Sequence, residues 1–130
     1  MTTDLWMLVL SAVLCLLLPL PYLAARATTP GGAAWGLGNR EEDFRFPAWA
    51  GRAERAHRNL VENLAPFAIL VLVAQVTGRA NATTALGATL FFWGRLLHAV
   101  IYLAGIPYLR TAVFFVSIVG DVLILLQLLH

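Results

Sequence analysis

The sequence predicts an all-α integral membrane protein, a bundle of four transmembrane helices that run up and down through the bilayer. Hydrophobic residues make up 60% of the chain and charged residues only 12%, a ratio outside the range of soluble domains. The 130 residues contain four apolar runs, each close to the roughly 20 residues that a spanning helix needs. We therefore expect a single membrane domain over residues 1–130 and no separate soluble catalytic domain.

The first predicted span covers residues 5–25. It is continuous apolar sequence, and Pro19 and Pro21 should kink or loosen its last turn. The only cysteine of the chain, Cys15, lies within this span, which indicates a small packed or lipid-facing side chain rather than a nucleophile. Residues 26–50 are predicted to form a long loop rich in glycine and proline, and long ordered loops are often functional.

The remaining spans are predicted over residues 51–77, 82–104 and 108–129. The second span carries charged residues in its first turns and is apolar beyond them, around Pro66. Asp121 lies deep in the fourth span and, by helical rise, far from the other ionisable groups. Because the connections between these three spans are short, consecutive helices are expected to be antiparallel neighbours.

The distribution of the nine basic residues, all of them arginines, predicts the orientation of the chain. Basic residues are retained on the cytoplasmic side of a membrane. Arg79 follows the second span on one side, whereas the other side holds Arg26, Arg40, Arg45, Arg52, Arg55, Arg58 and Arg110. We therefore predict a multi-pass protein of a bacterial inner membrane, with a cytoplasmic loop over 26–50 and both termini in the periplasm.

Two polar stripes interrupt the apolar helices, because residues at i, i+3, i+4 and i+7 share one helical face. Ionisable groups within a bilayer are costly unless they face protein or water, so the stripes predict a site in the cytoplasmic half. Glu62 and Arg95 lie at matching depths, about 14 to 16 Å from the cytoplasmic ends of their spans. The predicted pocket combines Arg55, Arg58, Asn59 and Glu62 of span two, Arg95, His98 and Tyr102 of span three, and Arg26, Arg110 and Thr111.

Such a pocket suits a small anionic ligand that also carries an amine. Guanidinium groups pair with carboxylates, Glu62 would accept an ammonium group, and Asn59 suits a peptide group. A guanidinium beside a thiol favours the thiolate, so the nucleophile could belong to the ligand. A simpler explanation is that Arg95 or Arg55 pairs with Glu62 and merely holds the bundle together. Four internal arginines facing one carboxylate argue against it, because at least two charges still need an anion or water.

Two segments match a known family. Residues 54–62, Glu-Arg-Ala-His-Arg-Asn-Leu-Val-Glu, with Pro66-Phe67 shortly after, resemble the signature of the MAPEG superfamily, the membrane-associated proteins of eicosanoid and glutathione metabolism. The second match is residues 94–103, Gly-Arg-Leu-Leu-His-Ala-Val-Ile-Tyr-Leu, followed by Arg110-Thr111. The motifs are especially similar to those of the microsomal prostaglandin E synthases, and the chain looks most like the bacterial branch. With the four spans, the resemblance covers essentially the whole chain.

The resemblance implies a homotrimer that binds glutathione between adjacent subunits in the cytoplasmic half. It implies that Arg110 activates the glutathione thiol, and Thr111 stands where the prostaglandin synthases have serine, so prostaglandin isomerisation does not follow. Arg26 would reach in from the neighbouring subunit, while Arg55 and Arg95 would shape the pocket. The expected glutathione-binding residues are thus Arg26, Arg55, Arg58, Asn59, Glu62, Arg95, His98 and Tyr102.

The expected function is a glutathione-dependent membrane enzyme that conjugates or reduces a lipophilic electrophile from the bilayer. The alternative is a noncatalytic glutathione- or lipid-binding scaffold of the same fold. A small multidrug exporter ranks last because it should carry an acidic residue midway along span one, and none lies between Leu5 and Ala25. We expect no metal site and no nucleic-acid partner.

Overall fold

A computed structural model describes all 130 residues, and its regular structure is entirely helical. In chain order the helices are α1 (Thr3–Leu17), α2 (Pro19–Thr28), α3 (Gly32–Leu37), α4 (Ala48–Val76), α5 (Ala82–Ala104) and α6 (Pro107–Leu129). Four segments are long and apolar enough to cross a membrane, namely α1 together with α2, then α4, α5 and α6. The prediction of an all-helical integral membrane protein with four spanning segments is therefore confirmed.

The first span consists of two helices. α1 ends at Leu17 and α2 begins at Pro19, because proline supplies no N–H for the continuing helix but is well suited to the first helical position. α2 then continues to Thr28, beyond the predicted end of the span at residue 25. Leu18 between them keeps a helical backbone conformation, so α1 and α2 together form one spanning segment.

The segment between α2 and α4 differs from the predicted loop over residues 26–50. It is shorter, since α4 already begins at Ala48, and it contains the short helix α3. The aromatic rings of Trp35, Phe44 and Phe46 cluster here, with centroids 4.8 to 5.9 Å apart. This cluster folds the segment back over the end of α2 and encloses one side of a cavity between α2 and α4.

α4 is the longest helix, and its 29 residues correspond to about 43 Å at 1.5 Å per residue. That length exceeds the hydrocarbon thickness of a bilayer, about 30 Å, so its charged first turns can reach the headgroup region. Arg52 fastens this end of α4 by donating from Nε to the Leu103 carbonyl oxygen at 3.1 Å. It also lies against Gly105, whose φ of +79° ends α5 in the left-handed conformation.

The closest helix pair is α5 and α6, which follow each other through the short turn at residues 105–106. A Cβ on Gly87 would lie 2.6 Å from the Gly120 carbonyl oxygen, so the backbones touch at this point. Gly94, two helical turns nearer the connection to α6, faces Ser117 in the same way. Small residues permit such close approach between helices in membranes. The contact fixes the register that brings the first turn of α6 beside His98 and Tyr102.

Few side chains are buried inside the single chain, 24 of 130, so most apolar surface faces outward toward lipid or another subunit. The small core centres on Phe67 of α4 and Phe91 of α5, whose rings stack at 3.8 Å. The outward face of α4 is apolar in its second half, where Ile69 is 61% exposed and Val76 is 87% exposed. The same helical face carries Arg58 and Glu62 in its first half.

Candidate functional site

A pocket of about 300 Å³ opens between α4, α5 and α6, and we call it the α4–α6 pocket. Five of the ten residues predicted for the site line it, together with a phenylalanine that was not predicted. The lining consists of Asn59, His98, Tyr102, Arg110, Thr111 and Phe114. Because α6 begins at Pro107, Arg110 and Thr111 lie in its first two turns, at the mouth of the pocket.

Tyr102 lies between two guanidinium groups. The Cζ of Arg110 lies 4.3 Å from the centroid of its ring, within cation–π range. On the α4 side, Arg55 donates from Nε to the Tyr102 hydroxyl at 3.2 Å. The His98 ring meets Tyr102 edge to face, with centroids 5.5 Å apart. Two positive charges are thus concentrated around one phenol, which makes this end of the pocket suited to an anion.

Arg95 lies beneath the pocket and is only 1% exposed. Its Nη1 donates to Asn59 Oδ1 at 2.6 Å, and its guanidinium lies 4.8 Å from the Phe114 ring centroid and 5.3 Å from that of Phe91. Its Nε and Nη2 have no hydrogen-bond partner within the chain. Because Arg95 engages the amide oxygen of Asn59, the amide nitrogen is left as the donor available to a ligand.

The structure corrects the expected isolation of Asp121. This residue is seven positions beyond Phe114 and therefore on the face of α6 that meets Arg95, although no hydrogen bond or ion pair joins the two side chains. The Oδ1 atom of Asp121 is buried without a hydrogen-bond partner. Helical rise measures only the depth of the backbone, and by that measure Asp121 is far from the cluster. The side chain of Arg95, however, points toward the start of α5 and so reaches deeper into the bundle.

A second cavity, about 420 Å³, lies between α2, α4 and the intervening segment, and we call it the α2–α4 cavity. Arg26 pairs here with Glu54 of its own chain, with Nη2 and Oε2 3.2 Å apart. The Arg26 guanidinium also lies 5.0 Å from the ring centroid of Tyr22 and 5.9 Å from that of Phe46. Arg55 lines this cavity as well, so it links the two sites. Within one protomer, Arg26 is thus separated from the α4–α6 pocket.

Arg58 and Glu62 lie on the outward face of α4, between the two cavities, and both are exposed. Neither forms an ion pair, since the one ion pair in the chain joins Arg26 and Glu54. The suggested pairing of Glu62 with Arg95 or Arg55 is therefore wrong: Arg95 bonds Asn59, and Arg55 bonds Tyr102. Glu62 and Arg95 had been matched because they lie at similar depths in their spans. The Glu62 side chain, however, faces away from the core on which α5 packs.

Several polar residues of the site were not predicted. Glu54 and His57 lie off the stripe of α4 that predicted the site, yet they face α2 and contact Arg26 and Tyr22. Their spacing in the sequence could have predicted them, because residues at i and i+3 share a helical face and form a second polar face of α4. No cluster of three or more His, Cys, Asp or Glu side chains that could hold a metal ion is present.

Comparison with known proteins gives one match. The model of the MAPEG family matches residues 4–130, almost the whole chain. Neither the curated proteins nor the solved structures include a match.

Proposed function

The chain belongs to the MAPEG family, and from this premise we propose that it is a glutathione-dependent membrane enzyme of the transferase or peroxidase type. Its second substrate is a lipophilic electrophile that reaches the site laterally from the bilayer. The main support is the α4–α6 pocket, where Arg110 and Arg55 flank Tyr102 and where Asn59 offers a free amide donor. We assign the chain to the bacterial branch, with its motifs nearest to those of the prostaglandin E synthases.

The residues around α4 fit the chemical groups of glutathione. The tripeptide carries two carboxylates, one ammonium group, peptide groups and a thiol. Arg58, Arg55 and Arg26 offer guanidinium groups for the carboxylates, and Glu62 offers an unpaired carboxylate for the ammonium group. The Asn59 amide nitrogen suits a peptide carbonyl. The unpartnered nitrogens of the buried Arg95 add a positive charge behind the pocket that favours an anion in front of it.

When bound, glutathione supplies the thiol that adds to an electrophile or reduces a peroxide. Arg110 is the proposed catalytic residue, because its guanidinium at the pocket mouth stabilises negative charge on a sulfur placed there. Thr111, next in the chain, contributes a hydroxyl at the same mouth. Arg95 acts through Asn59, because its Nη1 donates to Asn59 Oδ1 at 2.6 Å and fixes the orientation of that amide. His98 and Tyr102 line the same pocket and complete the proposed glutathione-binding set.

We infer a homotrimer with a composite site, because the predicted residues are divided between two sides of α4. Asn59, Arg110 and Thr111 lie on one side, whereas Arg26 lies on the other. Glu62, the midpoint of the helix Ala48–Val76, is exposed between them, and a bare charge at that depth is unfavourable against lipid. A head-to-tail ring would cover this face and bring the Arg26 side of one protomer against the Arg110 side of the next.

We propose a bacterial inner-membrane location with both termini in the periplasm. The support is the concentration of arginines at the end of the bundle that contains the α2–α4 segment, against Arg79 alone at the other end. The glutathione site then faces the cytoplasm.

The test of the enzymatic proposal is the variant Arg110→Ala, purified in detergent. We expect turnover with glutathione and 1-chloro-2,4-dinitrobenzene, or with cumene hydroperoxide, to fall by about 100-fold or more while the oligomer remains intact. Arg45→Ala is the matched control, because Arg45 is exposed in the segment before α4 and takes part in neither cavity. Unchanged turnover in Arg110→Ala would remove Arg110 from the mechanism. A wild-type chain that binds glutathione without turning over either compound would favour the noncatalytic scaffold.

A further inference from the structure

A thiol, an imidazole and a phenol form a connected row on the side of α4 that faces the first span. Cys15 Sγ lies 3.8 Å from His57 Nε2, and His57 Nδ1 lies 2.9 Å from the Tyr22 hydroxyl. The three residues come from α1, α4 and α2. Cys15 and Tyr22 are seven residues apart along the first span and Leu18 between them keeps a helical backbone, so both side chains lie on the face that meets His57.

The thiol, imidazole and phenol follow one another in the arrangement that activates a nucleophile. A thiol beside a general base, with the base oriented by a third group, is the usual arrangement for nucleophilic catalysis by side chains. If Nδ1 donates its proton to the Tyr22 oxygen, Nε2 is left as an acceptor facing the Cys15 thiol. The phenol thereby selects the imidazole tautomer that can remove a proton from sulfur.

The surroundings of Cys15 favour a lipophilic reaction partner. The thiol is partly buried and packs beside the apolar core, about 20 Å from the end of α2 by helical rise. The next residue, Leu16, is 75% exposed on the outer surface of α1. A compound dissolved in the hydrocarbon region can therefore approach along α1, whereas a charged reagent from water cannot reach that depth at low cost.

We propose that Cys15, His57 and Tyr22 form a second reactive site, at which the Cys15 thiol adds to membrane-borne α,β-unsaturated carbonyl compounds. A carbon–sulfur bond forms at the β-carbon, and the electrons of the carbon–carbon double bond move toward the carbonyl. The thiol proton passes to His57 Nε2 and from there to the α-carbon. The addition has no leaving group and needs no oxidant or reductant, and it does not involve glutathione.

The imidazole matters more here than it would in water. A thiolate without a partner is strongly disfavoured in apolar surroundings, so the unassisted thiol would react slowly. Transfer of the proton to the adjacent His57 as the sulfur attacks keeps the site neutral overall. Cys15 is the nucleophile, His57 is the base, and Tyr22 is a positioning residue that acts through His57.

The experiment uses the full chain in phosphatidylcholine vesicles with trans-2-nonenal and without glutathione. Intact mass gives the rate of adduct formation, and peptide mapping gives its position. The chain has no lysine and one cysteine, so few other nucleophiles compete. The matched control is the double variant Cys15→Ala with Leu16→Cys, which moves the thiol one residue along α1 to a lipid-facing position without the imidazole.

We expect one adduct per chain at Cys15, forming about 100-fold faster than the adduct of the Leu16→Cys control. Tyr22→Phe should lower the maximal rate of adduct formation and leave the half-saturating aldehyde concentration unchanged, a split that general loosening of the fold would not produce. His57→Ala should lose the acceleration, and added imidazole should restore part of it. Equal rates for Cys15 and the Leu16→Cys thiol would overturn the proposal, as would a wild-type rate that Tyr22→Phe and His57→Ala both leave unchanged. Because the assay contains no glutathione, its outcome is independent of the function proposed above.

Discussion

At the scale of single residues, Arg95 connects the pocket to the interior of the bundle. It holds the Asn59 amide on one side, and Asp121 lies on the face of α6 that meets it on the other. Opposite charges attract strongly where little water screens them, so we expect the two residues to depend on each other. We regard Arg95 as a positioning residue whose guanidinium sets which atom of Asn59 faces a ligand.

A double-mutant cycle tests this dependence. We expect Arg95→Met and Asp121→Asn each to lower the free energy of unfolding by about 0.5 to 3 kcal/mol, because the first removes the hydrogen bond to Asn59 and the second removes the negative charge on the face of α6 that meets Arg95. The double variant should lose clearly less than the sum of the two single losses. Unfolding of the detergent-solubilised chain, followed by circular dichroism, gives the three values. Strictly additive losses would show that Arg95 and Asp121 do not interact.

Side-chain partners were the part of the site that the sequence predicted least well. Helical spacing identifies the residues that share a face, and it placed Arg55, Arg58, Asn59 and Glu62 together on α4. It does not determine which neighbour each face meets, so Glu62 was matched with Arg95 although it points outward. The contact between His57 and Cys15 was missed for the same reason, since spacing alone does not say that the first span packs on that face of α4.

At the scale of helices, the sequence predicted most of the architecture because each span is a long apolar run bounded by glycine, proline or charge. The starts and ends were harder to predict. α2 continues past residue 25, and α4 begins before residue 51, because apolar content locates the membrane part of a helix and not the turns that extend beyond it. The interruption of the first span at Leu18, which keeps a helical backbone, agrees with the kink that Pro19 and Pro21 had suggested.

The contact between α5 and α6 gives a prediction at this scale. Gly87→Ala would place a Cβ 2.6 Å from the Gly120 carbonyl oxygen and 2.8 Å from Ile124 Cγ1, so the helices must separate. We expect a loss of about 1 to 3 kcal/mol in the free energy of unfolding, with weaker glutathione binding because α6 carries Arg110. Gly36→Ala is the control, since a Cβ there has no heavy atom within 4 Å and should not destabilise the chain. Equal stability of the two variants would contradict the described packing.

At the scale of the whole molecule, the proposed trimer rests on the exposed face of α4. Its charged half carries Arg58 and Glu62, and its apolar half carries Ile69, with the two cavities on either side. Family membership and four spans were predictable from motifs and hydropathy. The resemblance implied that Arg26 acts in the site of a neighbouring subunit, but the sequence alone did not show that α2 and α6 pack against different flanks of α4.

Co-expression of two inactive variants tests the composite trimer. Arg26→Ala and Arg110→Ala should each abolish activity alone, because each removes one half of every site. In trimers assembled from equal amounts of both, about one quarter of the sites combine an intact Arg26 with an intact Arg110 from the neighbour. We therefore expect partial recovery of turnover with a model electrophile. If Arg26 and Arg110 of the same protomer served one site, mixing would restore nothing.

The most direct test of the central claim, glutathione binding at the charged face of α4, is a thermal-shift titration of the purified chain with glutathione. A ligand that binds the folded state raises its melting temperature as its concentration increases. We predict a concentration-dependent rise for the wild type and for Arg45→Ala, and its loss in Glu62→Ala, whose missing carboxylate would have held the ammonium group. No shift for the wild type, or an undiminished shift for Glu62→Ala, would contradict the account.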